Sequence, residues 1–143
     1  MQEQNIPFPV SKLFSELGLD KNYIFSFHIN PFYLRGDFDG DGEMDFAFLV
    51  IQNKTKKKGI AIMHSGSNKI FIVGAGRPCG NGGDDFRWMN IWSVYPRGKV
   101  ELRVGKTTIP NLCGEALHVE KSGSASGLIL WDGKKYVWYQ QGD

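Results

Sequence analysis

The sequence predicts an α+β fold that is mostly β: an antiparallel sheet, rolled or sandwiched, with one N-terminal helix. Three observations predict this fold, namely short strand-like runs, tight turns between them, and helical spacing in one segment only. The 143 residues contain no fixed-period repeat and no linker-like stretch, so we expect a single domain, 1–143. The formal net charge of +2 is too small to indicate nucleic acid or an anionic membrane as a partner.

The predicted helix lies near the start of the chain. Ser11 is expected to cap it, and Leu13, Phe14 and Leu17 give it an apolar face. Gly18 follows these residues and is expected to end the helix. After Gly18 the apolar pattern changes to the short runs that are typical of strands.

The strands are predicted from alternating or continuous apolar runs. Residues 45–52 form a continuous apolar run, which is typical of a strand covered on both faces. Residues 74–86, the glycine-rich loop, are expected to be the longest irregular segment. Asp132-Gly133 separates the last two strands and favours a type I′ turn. The predicted strands are 23–29, 32–34, 45–52, 58–64, 69–73, 90–95, 99–104, 115–120, 127–131 and 134–139.

Residues 37–45, the acidic loop, carry the clearest chemical signal in the chain. Their sequence, Asp-Phe-Asp-Gly-Asp-Gly-Glu-Met-Asp, places carboxylates at loop positions 1, 3, 5 and 9. Four acids this close repel one another unless they share a cation, so the spacing predicts a site for a hard metal ion. Ca2+ is the leading candidate, because Mg2+ prefers octahedral geometry and retains its waters. Position 12 is Phe48, in a predicted strand, which excludes an EF-hand.

The stretch Gly36-Asp-Phe-Asp-Gly-Asp-Gly-Glu-Met-Asp45-Phe-Ala resembles the calcium-binding loops of FG-GAP repeats in integrin-type β-propellers, which precede a hydrophobic strand. The chain has one copy, so the resemblance implies the loop and not a propeller. The later segments 112–121 and 124–131 look like parts of small bacterial proteins that carry one such loop. Gly42, and in the same way Gly40, is expected to have a positive φ. The implied metal ligands are the side chains of Asp37, Asp39, Asp41 and Asp45 and the backbone carbonyl of Glu43.

The residues and the resemblance together predict a Ca2+-binding, β-rich, non-enzymatic protein that acts by binding a protein partner. A loop that fills the coordination of the ion with protein oxygens leaves little room for an activated water, which argues against catalysis. Two alternatives stay open: a metal-dependent hydrolase that uses the acidic cluster, and a domain in which Ca2+ is purely structural. A specific version of the binding role is a small inhibitor that inserts the glycine-rich loop into an enzyme.

The location of the protein is expected from its N-terminus and its apolar content. Residues 1–7 contain neither the basic nor the apolar region of a signal peptide, so an exported form would have lost its leader. We expect a periplasmic or secreted bacterial protein, and a cytoplasmic location stays open. No apolar run approaches the ~20 residues that a membrane-spanning helix needs, so we expect no membrane span.

Three further groups of residues have open interpretations. Cys79 and Cys113 lie in glycine-rich surroundings and are either one disulfide or two separate thiols. Asp84 and Asp85 belong either to a solvated loop or to a sugar-binding, protein-binding or second weak cation site. The histidines lack metal-type spacing and are expected to be structural or surface residues: His28, His64 and His118.

Overall fold

The part of the chain that the computed structural model describes, residues 7–99, 111–112 and 114–142, begins with one helix. Helix α1 spans Phe8–Glu16. Gly18, with a φ of 75°, ends it as predicted, because glycine adopts this left-handed conformation without a steric penalty. The predicted capping role of Ser11 is wrong, since Ser11 lies inside the helix. Pro7 is the N-cap instead, and its ring fixes a φ of −55° that leads into the first turn.

Five strands form the first sheet: β1 (Tyr23–Phe25), β2 (Tyr33–Gly36), β3 (Asp45–Gln52), β4 (Lys58–His64) and β5 (Lys69–Gly74). All of the pairs in this sheet are antiparallel. β4 pairs with one edge of β3, and β2 and β1 share the other edge. The predicted strand 23–29 is therefore too long, because β1 ends at Phe25 before the chain crosses to β2.

Six further strands follow in the described residues: β6 (Ile91–Tyr95), β7 (Gly98–Lys99), β8 (Asn111–Leu112), β9 (Ala116–Glu120), β10 (Ser126–Trp131) and β11 (Tyr136–Gly142). Four of them form the second sheet, which is antiparallel, in the order β11-β10-β9-β6. A separate two-residue pair joins β7 to β8. The predicted strand 99–104 lies mostly outside the described residues.

β3 is buried on both faces, as its continuous apolar run predicts. Ala47 and Leu49 belong to the main core, which lies between the two sheets. Phe48 and Val50 point to the opposite face, where helix α1 covers the first sheet. The molecule is therefore layered in the order helix, first sheet, second sheet, and a mostly β, α+β fold is confirmed. No helix in the described ranges is long and apolar enough to cross a membrane.

The last hairpin differs from its prediction at the turn. Trp131 pairs with Tyr136, so the four residues 132–135 connect β10 to β11. The predicted type I′ turn, which has two central residues, is therefore wrong. The longer turn forms because the Asp132 carboxylate accepts hydrogen bonds from the backbone N–H groups of Lys134 and Lys135, at 2.8 and 2.9 Å.

The glycine-rich loop is irregular, as predicted, and it packs against the second sheet. It contains the 3₁₀ turn Gly80–Gly82 and leads into another at Phe86–Trp88. A Cβ atom at Gly80 or Gly82 would lie 2.7 or 2.8 Å from Trp138, so the close contact with this indole requires glycine.

Cys79 lies buried in the glycine-rich loop as a free thiol. Burial raises the pKa of this thiol to about 11, so it stays protonated at neutral pH. The other member of the predicted cysteine pair, Cys113, lies outside the described residues.

Candidate metal centre

The acidic loop connects β2 to β3 at one end of the sandwich. Gly36 and Asp45 pair across the base of the loop, where the two strands meet. Phe38 holds the loop to the protein, because its ring is buried in the main core between the sheets. Two hydrogen bonds connect the acidic loop to Glu115, which directly precedes β9 of the second sheet. The backbone N–H of Asp37 donates to Glu115 Oε1 at 2.8 Å, and the N–H of Glu115 donates to the Asp37 carbonyl at 2.8 Å.

The four aspartate side chains of the acidic loop converge on one point. Each offers a carboxylate oxygen, and these oxygens all lie within 4.8 Å of one another: Asp37, Asp39, Asp41 and Asp45. The spacing therefore brings together all four side chains that the sequence predicts as ligands. The predicted contribution of Glu43 uses its backbone carbonyl and stays a prediction.

Asp37 organises the backbone of the loop. Its Oδ1 accepts hydrogen bonds from the N–H groups of Gly40 and Asp41 at 3.0 and 3.1 Å, and its Oδ2 accepts one from Gly42 at 2.9 Å. Burial by itself raises the pKa of Asp37, but the N–H of Gly42 and its neighbours together lower this pKa below its usual range. Asp37 is consequently ionised at neutral pH.

Asp45 joins the acidic loop to the β4–β5 turn. Its Oδ2 accepts a hydrogen bond from the Phe38 N–H, and its Oδ1 accepts one from the Ser65 N–H, both at 2.9 Å. The carboxyl group is fully buried, with 0% of the residue exposed. Burial raises the pKa of Asp45 by more than these backbone donors lower it.

Asp39 and Asp41 complete the acidic cluster from the outer part of the loop. Burial raises the pKa of Asp39 to about 6, and repulsion from the charge on Asp45 adds to the increase. Asp41 is exposed and accepts a hydrogen bond from the Glu43 N–H at 2.8 Å. Burial and the charge of Asp45 both disfavour the ionised form of Asp39, and a bound cation would favour it.

The glycines of the acidic loop have the backbone conformation that the sequence predicts. Gly40 has a φ of 77° and Gly42 has a φ of 89°. This region of φ is costly for residues with a Cβ atom. The two glycines therefore let the chain fold back so that its N–H groups reach the Asp37 carboxylate.

His64 is a member of the site that the sequence prediction missed. Its Nδ1 lies 3.2 Å from Asp39 Oδ2 and its Nε2 lies 2.5 Å from the Tyr136 hydroxyl oxygen. Burial lowers the pKa of His64 even though the acidic loop opposes this, and burial raises the pKa of Tyr136. The neutral tautomer with its proton on Nδ1 satisfies both contacts: Tyr136 donates to Nε2, and Nδ1 donates to Asp39.

The register of the first sheet explains why His64 reaches the loop. Phe46 pairs with Met63, so Asp45 and His64 occupy neighbouring ends of β3 and β4. The strand ranges predicted from the sequence do not include this pairing, so they do not indicate the contact. His64 also forms a second group of potential ligand atoms with Asp39 and Asp45.

Positive charge near the acidic loop is limited within the described ranges. Arg97 is the one Lys or Arg found in an ion pair with a loop carboxylate, at 3.3 Å from Asp37 Oδ2, and its side chain is 56% exposed. One exposed guanidinium does not balance four converging carboxylates. The donor set, all hard oxygen atoms around a common point, fits Ca2+.

The remaining predicted candidates lie elsewhere. His28 contacts Ser26, and His118 Nδ1 lies 4.0 Å from Glu120 Oε1. Asp84 pairs with Lys57 at 2.6 Å, and Asp85 pairs with the Arg87 side chain at 2.7 Å. Among the described residues, none of these groups belongs to a cluster of potential metal ligands.

Comparisons of the chain with protein-family models, curated proteins and solved structures find no match. Function must therefore be inferred from the chemistry of the site itself, and the resemblance of the acidic loop to FG-GAP repeats stays a prediction.

Proposed function

We propose that the protein binds one Ca2+ ion in the acidic loop and, with the loop ordered by the ion, binds a protein partner without catalysing a reaction. The observation that carries this proposal is the convergence of four carboxylates within 4.8 Å. Two of them, Asp37 and Asp45, are buried, and burying like charges together is costly unless a cation neutralises them.

The number and type of donors favour Ca2+ over other ions. Ca2+ takes six to eight oxygen ligands in flexible geometry. Four carboxylates and the carbonyl of Glu43 would supply most of them, and water could supply the rest. Softer ions prefer nitrogen or sulfur, and the one nearby imidazole, His64, is engaged by Tyr136 and Asp39.

An ion in the acidic loop would stabilise the surface around it. The Asp37 carboxylate already accepts a hydrogen bond from the loop backbone, and the Asp45 carboxylate accepts one from the Ser65 N–H. An ion that neutralises these two charges would reduce their repulsion and so stabilise this conformation of the loop. Met44 is 47% exposed within the loop, beside the exposed β4–β5 turn. An exposed methionine on an ordered loop is the kind of adaptable apolar contact that protein interfaces use. A periplasmic or secreted location would suit a site of moderate Ca2+ affinity.

Titration calorimetry with Ca2+ and Mg2+ tests the ion. We expect one Ca2+ per chain with a Kd of roughly 10⁻⁵ to 10⁻³ M, and a higher Tm in Ca2+ than in Mg2+ or chelator. Asp39→Asn and Asp41→Asn should each weaken Ca2+ binding by about tenfold or more. The control is Asp20→Asn, which removes an exposed acid outside the loop. Absence of a Ca2+-specific rise in Tm would overturn the proposal.

A separate experiment tests the protein partner. The immobilised protein is exposed to an extract of its source cells in Ca2+, washed, and then eluted with chelator. A partner that depends on the acidic loop should elute with chelator and should be lost with Asp41→Asn but not with Asp20→Asn. Retention that is equal in Ca2+ and in chelator would favour the alternative in which the ion is purely structural.

A metal-dependent hydrolase is the second candidate, because Asp39 is both a loop carboxylate and part of the wall of an open cleft. Hydrolysis of p-nitrophenyl phosphate and p-nitrophenyl acetate in Ca2+, Mn2+ and Zn2+ tests it. We expect no turnover above buffer. Turnover that Asp39→Asn abolishes and Asp20→Asn preserves would replace the proposed function with this one.

A further inference from the structure

A cleft of about 470 Å³ opens beside the acidic loop, between the β4–β5 turn and the β10–β11 turn. Asp39 and His64 form its inner end, Phe71 and Trp131 form aromatic walls, and the lysines Lys69 and Lys134 also line it. Volumes of about 300–1,000 Å³ are typical of sites for small molecules. The cleft is therefore large enough for a ligand with one ring and a charged group.

The aromatic part of the cleft is held in place by ring contacts. The Trp131 ring centre lies 4.8 Å from that of Phe71, 4.7 Å from that of His64 and 5.0 Å from that of Tyr136. Both Phe71 and Trp131 are half-buried, so part of each ring still faces solvent. A fixed, partly exposed pair of rings offers an apolar surface to a planar or ring-shaped group with little loss of side-chain entropy.

The polar part of the cleft favours a negative ligand. Lys69 and Lys134 are both exposed, and neither forms an ion pair with any residue in the described part of the chain. They come from different hairpins, β4–β5 and β10–β11, and so approach the cleft from two sides. Among the described residues that line the cleft, the one acid is Asp39, which is directed to His64 at 3.2 Å and to the acidic cluster.

We propose that this cleft binds a small organic anion with an aromatic or other ring. Its carboxylate or phosphate group lies between Lys69 and Lys134, and its ring lies against Trp131 and Phe71. The inference rests on the proposed function in one respect, since Ca2+ in the acidic loop would neutralise Asp39 and remove its repulsion of the anion. Because carboxylates and phosphates accept the same charge-assisted hydrogen bonds from lysine, the experiment has to distinguish them.

The test is a titration of the ¹⁵N-labelled protein in Ca2+-containing buffer, followed by NMR. Phenyl phosphate and benzoate are the anionic probes, benzyl alcohol is the neutral probe of similar shape, and inorganic phosphate lacks the ring. We expect saturable shifts of the Trp131 indole and the Gly133 amide with one or both anionic ring probes, and the tighter of the two identifies the preferred group. Benzyl alcohol and inorganic phosphate should each bind at least about tenfold more weakly.

Matched variants test whether Lys69 and Lys134 provide the affinity for the anionic ring probe. The double variant Lys69→Gln and Lys134→Gln should lose about tenfold or more in affinity for the anionic ring probe. The control double variant, Lys54→Gln and Lys121→Gln, removes the same charge from exposed positions outside the cleft and should bind normally.

Three results would overturn the inference: shifts spread over the surface without saturation, equal affinity for inorganic phosphate, or equal losses in the two double variants. Ca2+ calorimetry on the same samples separates this inference from the proposed function. A protein that binds no Ca2+ but still binds phenyl phosphate through Lys69 and Lys134 disproves the first proposal only. A protein that binds Ca2+ but none of the anions disproves only the second.

Discussion

The acidic loop and the glycine-rich loop both combine aspartate with glycine but differ in how their carboxylates are neutralised. In the glycine-rich loop, Asp84 pairs with Lys57 at 2.6 Å and Asp85 pairs with Arg87 at 2.7 Å. In the acidic loop, four carboxylates face one another, and Arg97 is the one Lys or Arg within the described ranges that pairs with any of them.

The pKa values of the two loops reflect this difference. Burial by itself raises the pKa of Asp85, but the N–H of Lys58 and the backbone and side chain of Arg87 together lower it below its usual range. Burial and the charge of Asp45 raise the pKa of Asp39 to about 6. Aspartate and glycine at a turn therefore do not by themselves indicate a metal site. The four acids of the acidic loop differ from the two aspartates of the glycine-rich loop because they converge on one point and, within the described ranges, pair with only one Lys or Arg.

The largest expected effect comes from removing the acid that holds two segments together. Asp45→Ala leaves the buried N–H of Phe38 and the part-buried N–H of Ser65 without an acceptor, so we expect a loss of about 3 kcal/mol in the free energy of unfolding in chelator. Asp85→Ala, in the glycine-rich loop, should cost about 1 kcal/mol, because the acid caps a 3₁₀ turn and is better solvated. Urea denaturation measures both, and equal losses would show that burial of Asp45 has no special role.

The next effect is a pH dependence with opposite sign in the two loops. Because the pKa of Asp39 is raised from 3.8 to about 6, its contribution to stability is complete below pH 3.8 and is lost as pH rises through about 6. In chelator, the change in stability from pH 6.5 to pH 4.5 should therefore be more favourable in the unsubstituted protein than in Asp39→Asn, by on the order of 1–2 kcal/mol, while the lowered pKa values of His28 and His64 act in the opposite direction in both proteins.

Asp85 supplies the control for the pH experiment. Its lowered pKa gives stability that is present above pH 3.8 and is lost as pH falls through the lower value. Asp85→Asn should consequently leave the change between pH 6.5 and 4.5 intact. An equal change in stability over this range in the unsubstituted protein and in Asp39→Asn, both in chelator, would contradict the electrostatic description of the acidic loop.

Much of the candidate site could be predicted from the sequence, because its four carboxylates and two turn glycines all lie within residues 37–45. The burial of β3 on both faces could also be predicted, because a continuous apolar run is typical of such a strand. His64 and Tyr136 could not be predicted, because strand pairing brings His64 to Asp39 and the packing of one sheet on the other brings Tyr136 to His64. The 132–135 turn was mispredicted because one carboxylate, Asp132, stabilises a longer connection than the Asp-Gly pair indicates.

A matched pair of glycine substitutions separates backbone strain from ion binding. Gly42 and Gly83 have φ values of 89° and 75°, and a Cβ atom would meet nothing within 4 Å at either position. Both Gly→Ala changes should therefore act through backbone strain alone, at about 1 kcal/mol for Gly42 and about 2 kcal/mol for Gly83, whose ψ of −166° lies in a region that glycine almost exclusively occupies.

Calorimetry then distinguishes the two glycine variants. Gly42→Ala should weaken Ca2+ binding by about tenfold, because alanine keeps the N–H that donates to the Asp37 carboxylate but is strained at the φ of 89° that directs this N–H to it. Gly83→Ala should bind Ca2+ with unchanged affinity. Equal Ca2+ affinities in the two variants would show that the backbone conformation at Gly42 does not affect ion binding.

The smallest expected effect is a change in the free energy of unfolding that has opposite signs for substitutions at Asp84 and at Asp41. Asp84→Asn removes a surface ion pair with Lys57, in which both side chains are more than a third exposed, and should destabilise the protein by about 0.5 kcal/mol or less.

Asp41→Asn keeps an oxygen that can accept from Glu43 N–H but removes one of four mutually repelling charges. In chelator it should therefore stabilise the protein by a similarly small amount, while in Ca2+ it should destabilise it. Urea denaturation at low and high salt measures both variants, since salt should reduce both differences. Destabilisation by Asp41→Asn in chelator would mean that the four carboxylates do not repel one another, and the main argument for a shared cation would fail.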